Sequence, residues 1–211
     1  MGERERACVF CGWGQAVRVA VIGCGMFGAM AALRLAQVGH QVEVFERAPG
    51  PLFGASYHNH RRLHLGFHYP RDIETAKQSI RGFRRFCEEF SSCIVRFPNI
   101  YFVALQGSMT TPKEYLRFIK ELGVKYEQID QIDFLPFKIQ GVAEGILVPE
   151  VVYDCGELRE IISERFHNSG IVCKFDTEVQ AVKRYDGGFR VFCVGGKMAS
   201  CDAIVDCTYA E

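Results

Sequence analysis

The stretch from Val17 to Glu46, VRVAVIGCGMFGAMAALRLAQVGHQVEVFE, leaves a chain little choice of fold. Val17, Val19 and Val21 are β-branched residues at alternating positions, and they predict a strand that ends at Gly23. Gly23-x-Gly25-x-x-Gly28 follows. Met26, Ala29, Met30, Leu33 and Ala36 then recur at helical spacing, until Gly39 stands where a helix stop is expected. Val42, Val44 and Glu46 alternate as a second strand. Strand, glycine turn, helix and strand within about 30 residues make a βαβ unit, with parallel strands and a right-handed crossover.

The glycines have separate physical tasks. Gly23 permits the tight turn out of the strand, Gly25 lets backbone approach a pyrophosphate, and Gly28 lets the helix pack close to the strands. The helix start, with Met26 and Phe27, then offers N–H groups and a positive dipole end to phosphate oxygens. Glu46, at the tip of the second strand, can accept hydrogen bonds from an adenosine ribose, and its charge disfavours a 2′-phosphate. A βαβ unit that binds nothing is the plain alternative. The strand, the helix, Ala32, Gly39 and the acid at the proper distance together favour a dinucleotide site.

Composition narrows the partners. With 25 basic and 25 acidic side chains the formal net charge is zero, which gives no electrostatic reason to expect nucleic acid or an anionic membrane. No apolar run approaches the roughly 20 residues that span a bilayer. The opening MGERERACVFCGWG does not read as a secretory signal, so a cytoplasmic protein is expected. Among ten cysteines, Cys8 and Cys11 alone have metal or redox spacing, and they are read as free thiols in an N-terminal extension. Cys173, Cys193 and Cys207 fall in apolar runs and read as small buried hydrophobes.

GCGMFGAMAALRLAQVGHQVEVFER resembles the N-terminus of FAD-dependent oxidoreductases of the D-amino-acid-oxidase type. The likeness continues through a small-Ser-x-x-Asn segment (Ala55, Ser56, Asn59) and a His-x-Gly-x-x-Tyr pattern (His64, Gly66, Tyr69), and is nearest to the branch with L-2-hydroxyglutarate oxidases. The resemblance implies FAD, held by Gly23, Gly25, Met26, Phe27, Gly28, Glu46, Arg47, Ser56 and Asn59. GELREIISERFHNSGIVCKFDTEVQAV is similar to a later helix and strands of the family, which would place Val179 near the adenine. DAIVDCTYA looks like the late strand that ends against the cofactor: Thr208 matches, whereas Tyr209 stands where many members have glycine. NAD enzymes share the glycine turn and the acid, but they do not require a polar, Asn- and His-bearing segment after the second strand.

That segment, ASYHNHRRLHLGFHYP, holds His60, His64 and His68 four residues apart. A helix would put them on one face, but Gly66 and Pro70 bracket the run, and no carboxylate within it completes a metal site, so none is expected. A solvated basic loop and a flavin-facing segment are the two remaining readings. In the second, the resemblance implies a catalytic set of His64, Arg61 and Tyr69. His64 assists proton removal while hydride passes to flavin N5, and Arg61 with Arg62 pairs with a substrate carboxylate. Arg61 departs from the hydroxyglutarate branch, which has glycine there.

Arg71 to Phe90 reads as an amphipathic helix, Asn99 to Leu105 as a strand, and Thr111 to Leu122 as a helix opened by a threonine cap and proline. Gln128 to Gly145 reads as mixed strand and loop, with Tyr101 and Lys138 as candidate pocket residues. Strands are expected at Ile171 to Lys174, Glu178 to Arg184, Phe189 to Val194 and Ala203 to Cys207, with a hairpin turn at Asp186-Gly187-Gly188.

The expected fold is α/β, a Rossmann-like FAD-binding domain with an inserted partial α+β substrate lobe. Its parts are an extension over 1–16, FAD domain over 17–93, lobe over 94–152 and FAD domain again over 153–211. Relatives of this type continue beyond Thr208, so an incomplete C-terminal region and possible self-association through it are expected. The functional expectation is hydride transfer from a small-molecule substrate, a hydroxy acid, amino acid or amine, to FAD. A catalytically silent FAD-binding fragment and an NAD-linked enzyme are the alternatives.

Overall fold

The computed structural model describes residues 15–129 and 138–209; Cys8 and Cys11 lie outside the described residues. In chain order the elements are β1 (Arg18–Ile22), α1 (Met26–Gln37), β2 (Gln41–Phe45), α2 (Ala55–His58), β3 (Arg62–Leu63), α3 (Ile73–Glu89), β4 (Ile94–Val95), β5 (Asn99–Ala104) and α4 (Pro112–Leu122). Then follow β6 (Glu127–Gln128), β7 (Val142–Val148), β8 (Val151–Tyr153), α5 (Cys155–Asn168), β9 (Val172–Lys174), β10 (Val179–Tyr185), β11 (Gly188–Cys193), β12 (Met198–Cys201) and β13 (Ala203–Asp206). The chain divides into two compact units, one from Met1–Asn59 and Cys155–Glu211, the other His60–Asp154.

The first unit is built on a parallel sheet in the order β13-β1-β2-β9. Val19, Ala20, Val21 and Ile22 of β1 are all buried, as a parallel strand covered on both faces requires. Helix α1 packs on this sheet and on α5. Ala20 and Phe45 join Val191, Cys193 and Cys201 in a core shared with the antiparallel sheet β10-β11-β12, so they face away from the neighbours that alternate with them. Tyr185 pairs with Gly188 across the expected hairpin turn. Strand β12 is an addition to the expected elements. Its sequence, MASC, has only one large apolar residue and carries little strand signal.

The second unit has two antiparallel sheets, β5-β7-β6 and β3-β8-β4. The expected amphipathic helix is α3, capped by Asp72, whose carboxylate accepts the Glu74 and Thr75 N–H groups. The expected threonine cap of α4 is present as a full capping box, with Thr111 and Glu114 reciprocally bonded and Pro112 in the first turn. Of Gln128 to Gly145, positions 130–137 lie outside the described residues, and the remainder contributes the end of β6 and the start of β7. Ala76 of α3 and Tyr115, Phe118 and Ile119 of α4 share one core with Leu65, Phe67 and Ile146. That packing places α3 in the second unit, so the first boundary falls at 59/60 where the sequence suggested 93/94. An amphipathic helix declares that one face is buried, but not against which sheet.

Candidate functional site

The bend between β1 and α1 is closed by its own backbone. Gly23 has φ +90, and a Cβ there would lie 2.7 Å from the Cys207 carbonyl oxygen. A Cβ on Gly28 would run into the Gly23 carbonyl. These two glycines are therefore demanded by the fold. Gly25 is different: a Cβ would meet nothing nearer than Ser56 Oγ at 3.5 Å, an ordinary contact. Among the described residues, no neighbour requires glycine at this position.

The start of α1 suits an anion. Gly25 as N-cap offers no side chain, and the first turn holds no acidic residue, so nothing within the helix offsets its positive end. Ser56 Oγ accepts the Met26 N–H at 3.0 Å, which brings the expected serine to the helix start. Phe27 projects into solvent at 87% exposure. Glu46 reaches the bend itself: its carboxylate accepts the Cys24 N–H at 2.6 Å and the Ala48 N–H at 2.8 Å. Cys24 is fully buried, and burial first, then Cys173 and Glu46, push its thiol up, which favours the protonated form.

The surrounding segments are tied to this bend. The Leu52 N–H donates to the Cys24 carbonyl at 2.8 Å, and the Thr177 N–H to the Glu46 carbonyl at 2.9 Å, two residues before Val179. Arg159 of α5 stacks over Phe53 (4.0 Å to the ring centroid) and Tyr57 (4.9 Å) and donates to the Pro51 carbonyl at 3.2 Å. It pins the loop that carries Ser56. Thr208 bonds to Asp206 through both its N–H and its hydroxyl, just beyond the Cys207 carbonyl that faces Gly23. Gly23, Gly25, Gly28, Met26, Glu46, Ser56 and Thr208 thus gather around one bend. Arg47 is exposed, and Asn59 closes α2 through its N–H to the Ala55 carbonyl.

In the second unit the histidine run is no helix. Gly66, at φ +90, turns the chain so tightly under α3 that a Cβ would lie 2.8 Å from the Ala76 carbonyl. The turn stacks His64 and His68 with ring centroids 4.6 Å apart. Among the described residues no cluster of three or more His, Cys, Asp or Glu is arranged to hold a metal ion.

The centre of this unit is Glu150, which sequence reasoning alone misses. Its side chain is fully buried, and one oxygen accepts the Leu65 N–H at 2.7 Å. The other meets Tyr101 Oη at 2.8 Å, Arg62 at 3.2 Å and His64 Nδ1 at 3.4 Å. Burial pushes the Glu150 carboxyl up, but hydrogen bonds from His64, Leu65 and Tyr101 outweigh it and hold the group below the ordinary carboxylate range. Burial and the Glu150 charge push the Tyr101 phenol up, so it remains a donor. Arg62, expected with Arg61 to meet a substrate carboxylate, instead pairs with Glu150 and lies over the Tyr101 ring at 5.2 Å. Arg61 is exposed with φ +53, and Tyr69 is partly exposed, edge-on to His68. A lone acid in the apolar run ILVPEVVY is the available signal for Glu150.

The sequence pattern of the family described as FAD dependent oxidoreductase (DAO) matches residues 18–211. FAD-dependent monooxygenase FPY4 of Fusarium mangiferae is 38% identical over 110 residues, 51% of this chain and 30% of that protein. D-amino acid dehydrogenase 2 of Ralstonia nicotianae is 43% identical over 54 residues, 26% of this chain and 13% of that protein. Among solved structures, glycine oxidase from Geobacillus kaustophilus superposes with a TM-score of 0.71 at 18% identity, over 91% of this chain and 55% of that one. L-Proline dehydrogenase from P. horikoshii gives 0.70 at 19% identity, over 92% and 53%. At those identities the likeness establishes the fold. The chain spans 30 to 40% of the length of curated relatives such as FPY4 and about half that of the solved ones. Among the described residues, no helix is long and apolar enough to cross a membrane.

Proposed function

The chain belongs to the family of FAD-dependent oxidoreductases of the D-amino-acid-oxidase type, and from that premise we propose that it binds FAD and oxidises a small hydroxy acid, amino acid or amine in the cytoplasm. Gly25 and the open start of α1 take the diphosphate in this reading, with Met26, Phe27 and Ser56 around it. Glu46 takes the adenosine ribose with its remaining lone pairs, and Val179, Arg47, Asn59 and Thr208 complete the contacts implied by the resemblance. When bound, FAD supplies a two-electron acceptor for the hydride that leaves the substrate carbon.

The chain's own residues supply binding and proton handling. His64 accepts the proton of the substrate hydroxyl or amine, and Arg61 pairs with a substrate carboxylate through its forked guanidinium. Tyr69 completes the catalytic set. The observation that carries the proposal is the contrast among the three glycines. Two are required by backbone packed against them, whereas a side chain at the third would make only an ordinary contact with Ser56, at a helix start whose N-cap offers no side chain of its own.

The visible spectrum of the purified protein, followed during anaerobic addition of glycine, L-proline or L-2-hydroxyglutarate, tests it. Flavin absorbance that bleaches with one of these probes supports the reading. A flavin that none of them bleaches favours the silent, FAD-binding alternative. A colourless protein that takes up no FAD overturns both.

A further inference from the structure

We propose that Glu150 is a positioning residue for His64: it holds the imidazole in the form protonated at Nδ1 and leaves Nε2 as the ring's proton acceptor. The inference deepens the reading of His64 as a base and rests on it.

A carboxylate only accepts hydrogen bonds, so the ring nitrogen that faces Glu150 must carry the hydrogen. That nitrogen is Nδ1, at 3.4 Å from Oε2. The carboxylate cannot turn away to release it. Its other oxygen is held by the Leu65 N–H at 2.7 Å, and its backbone carbonyl accepts from Asn99 Nδ2 at 2.8 Å. Tyr101 and Arg62 fix the oxygen that His64 meets. On the imidazole side, the nearly parallel His68 ring, tilted by 22°, restrains the ring plane, and Ser79 Oγ donates to the His64 carbonyl at 2.8 Å. Both partners are therefore set by bonds other than their own.

The consequence is chemical. When Nε2 takes the proton of a substrate O–H or N–H, the bonding pair stays with the substrate atom, and positive charge appears on a ring that faces a buried carboxylate. Glu150 stays ionised throughout and stabilises that charge. Arg62 offsets the carboxylate before the proton arrives.

Long-range nitrogen–proton NMR of the imidazoles in the full chain, at about pH 8.5 where an ordinary imidazole is neutral, reads the tautomer directly. Wild-type His64 is expected to show hydrogen on Nδ1 and a bare Nε2. Glu150→Leu leaves no acceptor facing Nδ1, so the ring loses its bias and hydrogen on Nε2, the form a free neutral imidazole favours, should appear. Tyr101→Phe removes a donor from the same oxygen but leaves the carboxylate, and it should keep the wild-type form. Hydrogen on Nε2 in the wild type, an unchanged tautomer in folded Glu150→Leu, or inversion in Tyr101→Phe would each overturn the proposal. The NMR measurement needs neither flavin nor substrate, so failure of the tautomer proposal and failure of the bleaching experiment are separate outcomes.

Discussion

The Glu46 carboxylate and the Cys24 N–H are 2.6 Å apart, which ties the tip of β2 to the bend that opens α1. The same carboxylate accepts the Ala48 N–H, so one acid links the bend to the segment that follows β2. Glu46→Ala removes two charge-assisted hydrogen bonds and should cost about 2 kcal/mol of stability. FAD affinity should fall in parallel. Glu46→Gln retains only one good acceptor and should lie between the two. Urea midpoints and flavin fluorescence titrations measure both effects. Unchanged FAD affinity in a folded Glu46→Ala protein would remove the acid from the cofactor site.

Gly25 and Gly28 should respond in opposite ways to the same added methyl group. In Gly28→Ala the Cβ meets the Gly23 carbonyl, backbone that cannot move without opening the bend, and the loss of stability should be about 3 kcal/mol or more. In Gly25→Ala the Cβ has room, so stability should change by less than about 1 kcal/mol, the scale of a helix N-cap exchange. FAD affinity should nevertheless fall at least about tenfold, since a blocked approach to the pyrophosphate forfeits more than the roughly 1.4 kcal/mol that this factor represents. A Gly25→Ala protein that binds FAD as tightly as the wild type would place the diphosphate elsewhere.

The first unit is largely legible in the sequence because its information is local. Alternating valines, three spaced glycines and a helical period fix β1, α1 and β2 without reference to the rest of the chain. The acid at position 46 follows from the same short count. Glu150 is illegible for the opposite reason: its partners Arg62, His64, Leu65 and Tyr101 lie 49 to 88 residues away in sequence. No periodicity links them. Arg159 is hidden in the same way, since its partners Pro51 and Phe53 belong to a loop more than a hundred residues earlier. The spacing of His64 and His68 suggests a helical face, but their stack arises from a glycine turn, which brings residues four apart together by another route.

Arg61 carries a backbone conformation that suits another residue. Its φ of +53 lies in the left-handed region, and it stands where the resembling hydroxyglutarate branch has glycine. Tyr209, the other departure from a family glycine, has φ +75. Comparing Arg61→Gly with Arg61→Ala separates backbone from side chain, because both remove the guanidinium and only glycine relieves the strain. The glycine variant should be the more stable by about 1 kcal/mol in urea titrations. Equal midpoints would show that the position tolerates a Cβ at no cost.

Acid should destabilise the second unit in two stages. His68 is held below the ordinary imidazole value by burial and then by its neighbour His64, and Glu150 is held below the ordinary carboxylate value. In both cases the unfolded chain binds the proton more readily, so stability rises with pH and is lost as pH falls. It is complete above the unfolded values, about 6.5 for His and about 4.3 for Glu, and declines toward the lower folded values. Asp72 and Glu114, which cap α3 and α4, are lowered by their own bonds to Thr75 and Thr111 and add to the second stage. Urea midpoints should therefore be level above about pH 7, begin to fall near pH 6.5, and fall further below about pH 4.5. His68→Gln should make the upper decline shallower. Glu150→Gln should lower the midpoint at neutral pH, since a buried charge partner is lost at a cost of about 3 kcal/mol, and should flatten the lower decline without abolishing it. A Glu150→Gln protein with the full acid slope of the wild type would mean that Glu150 is not ionised in the folded chain.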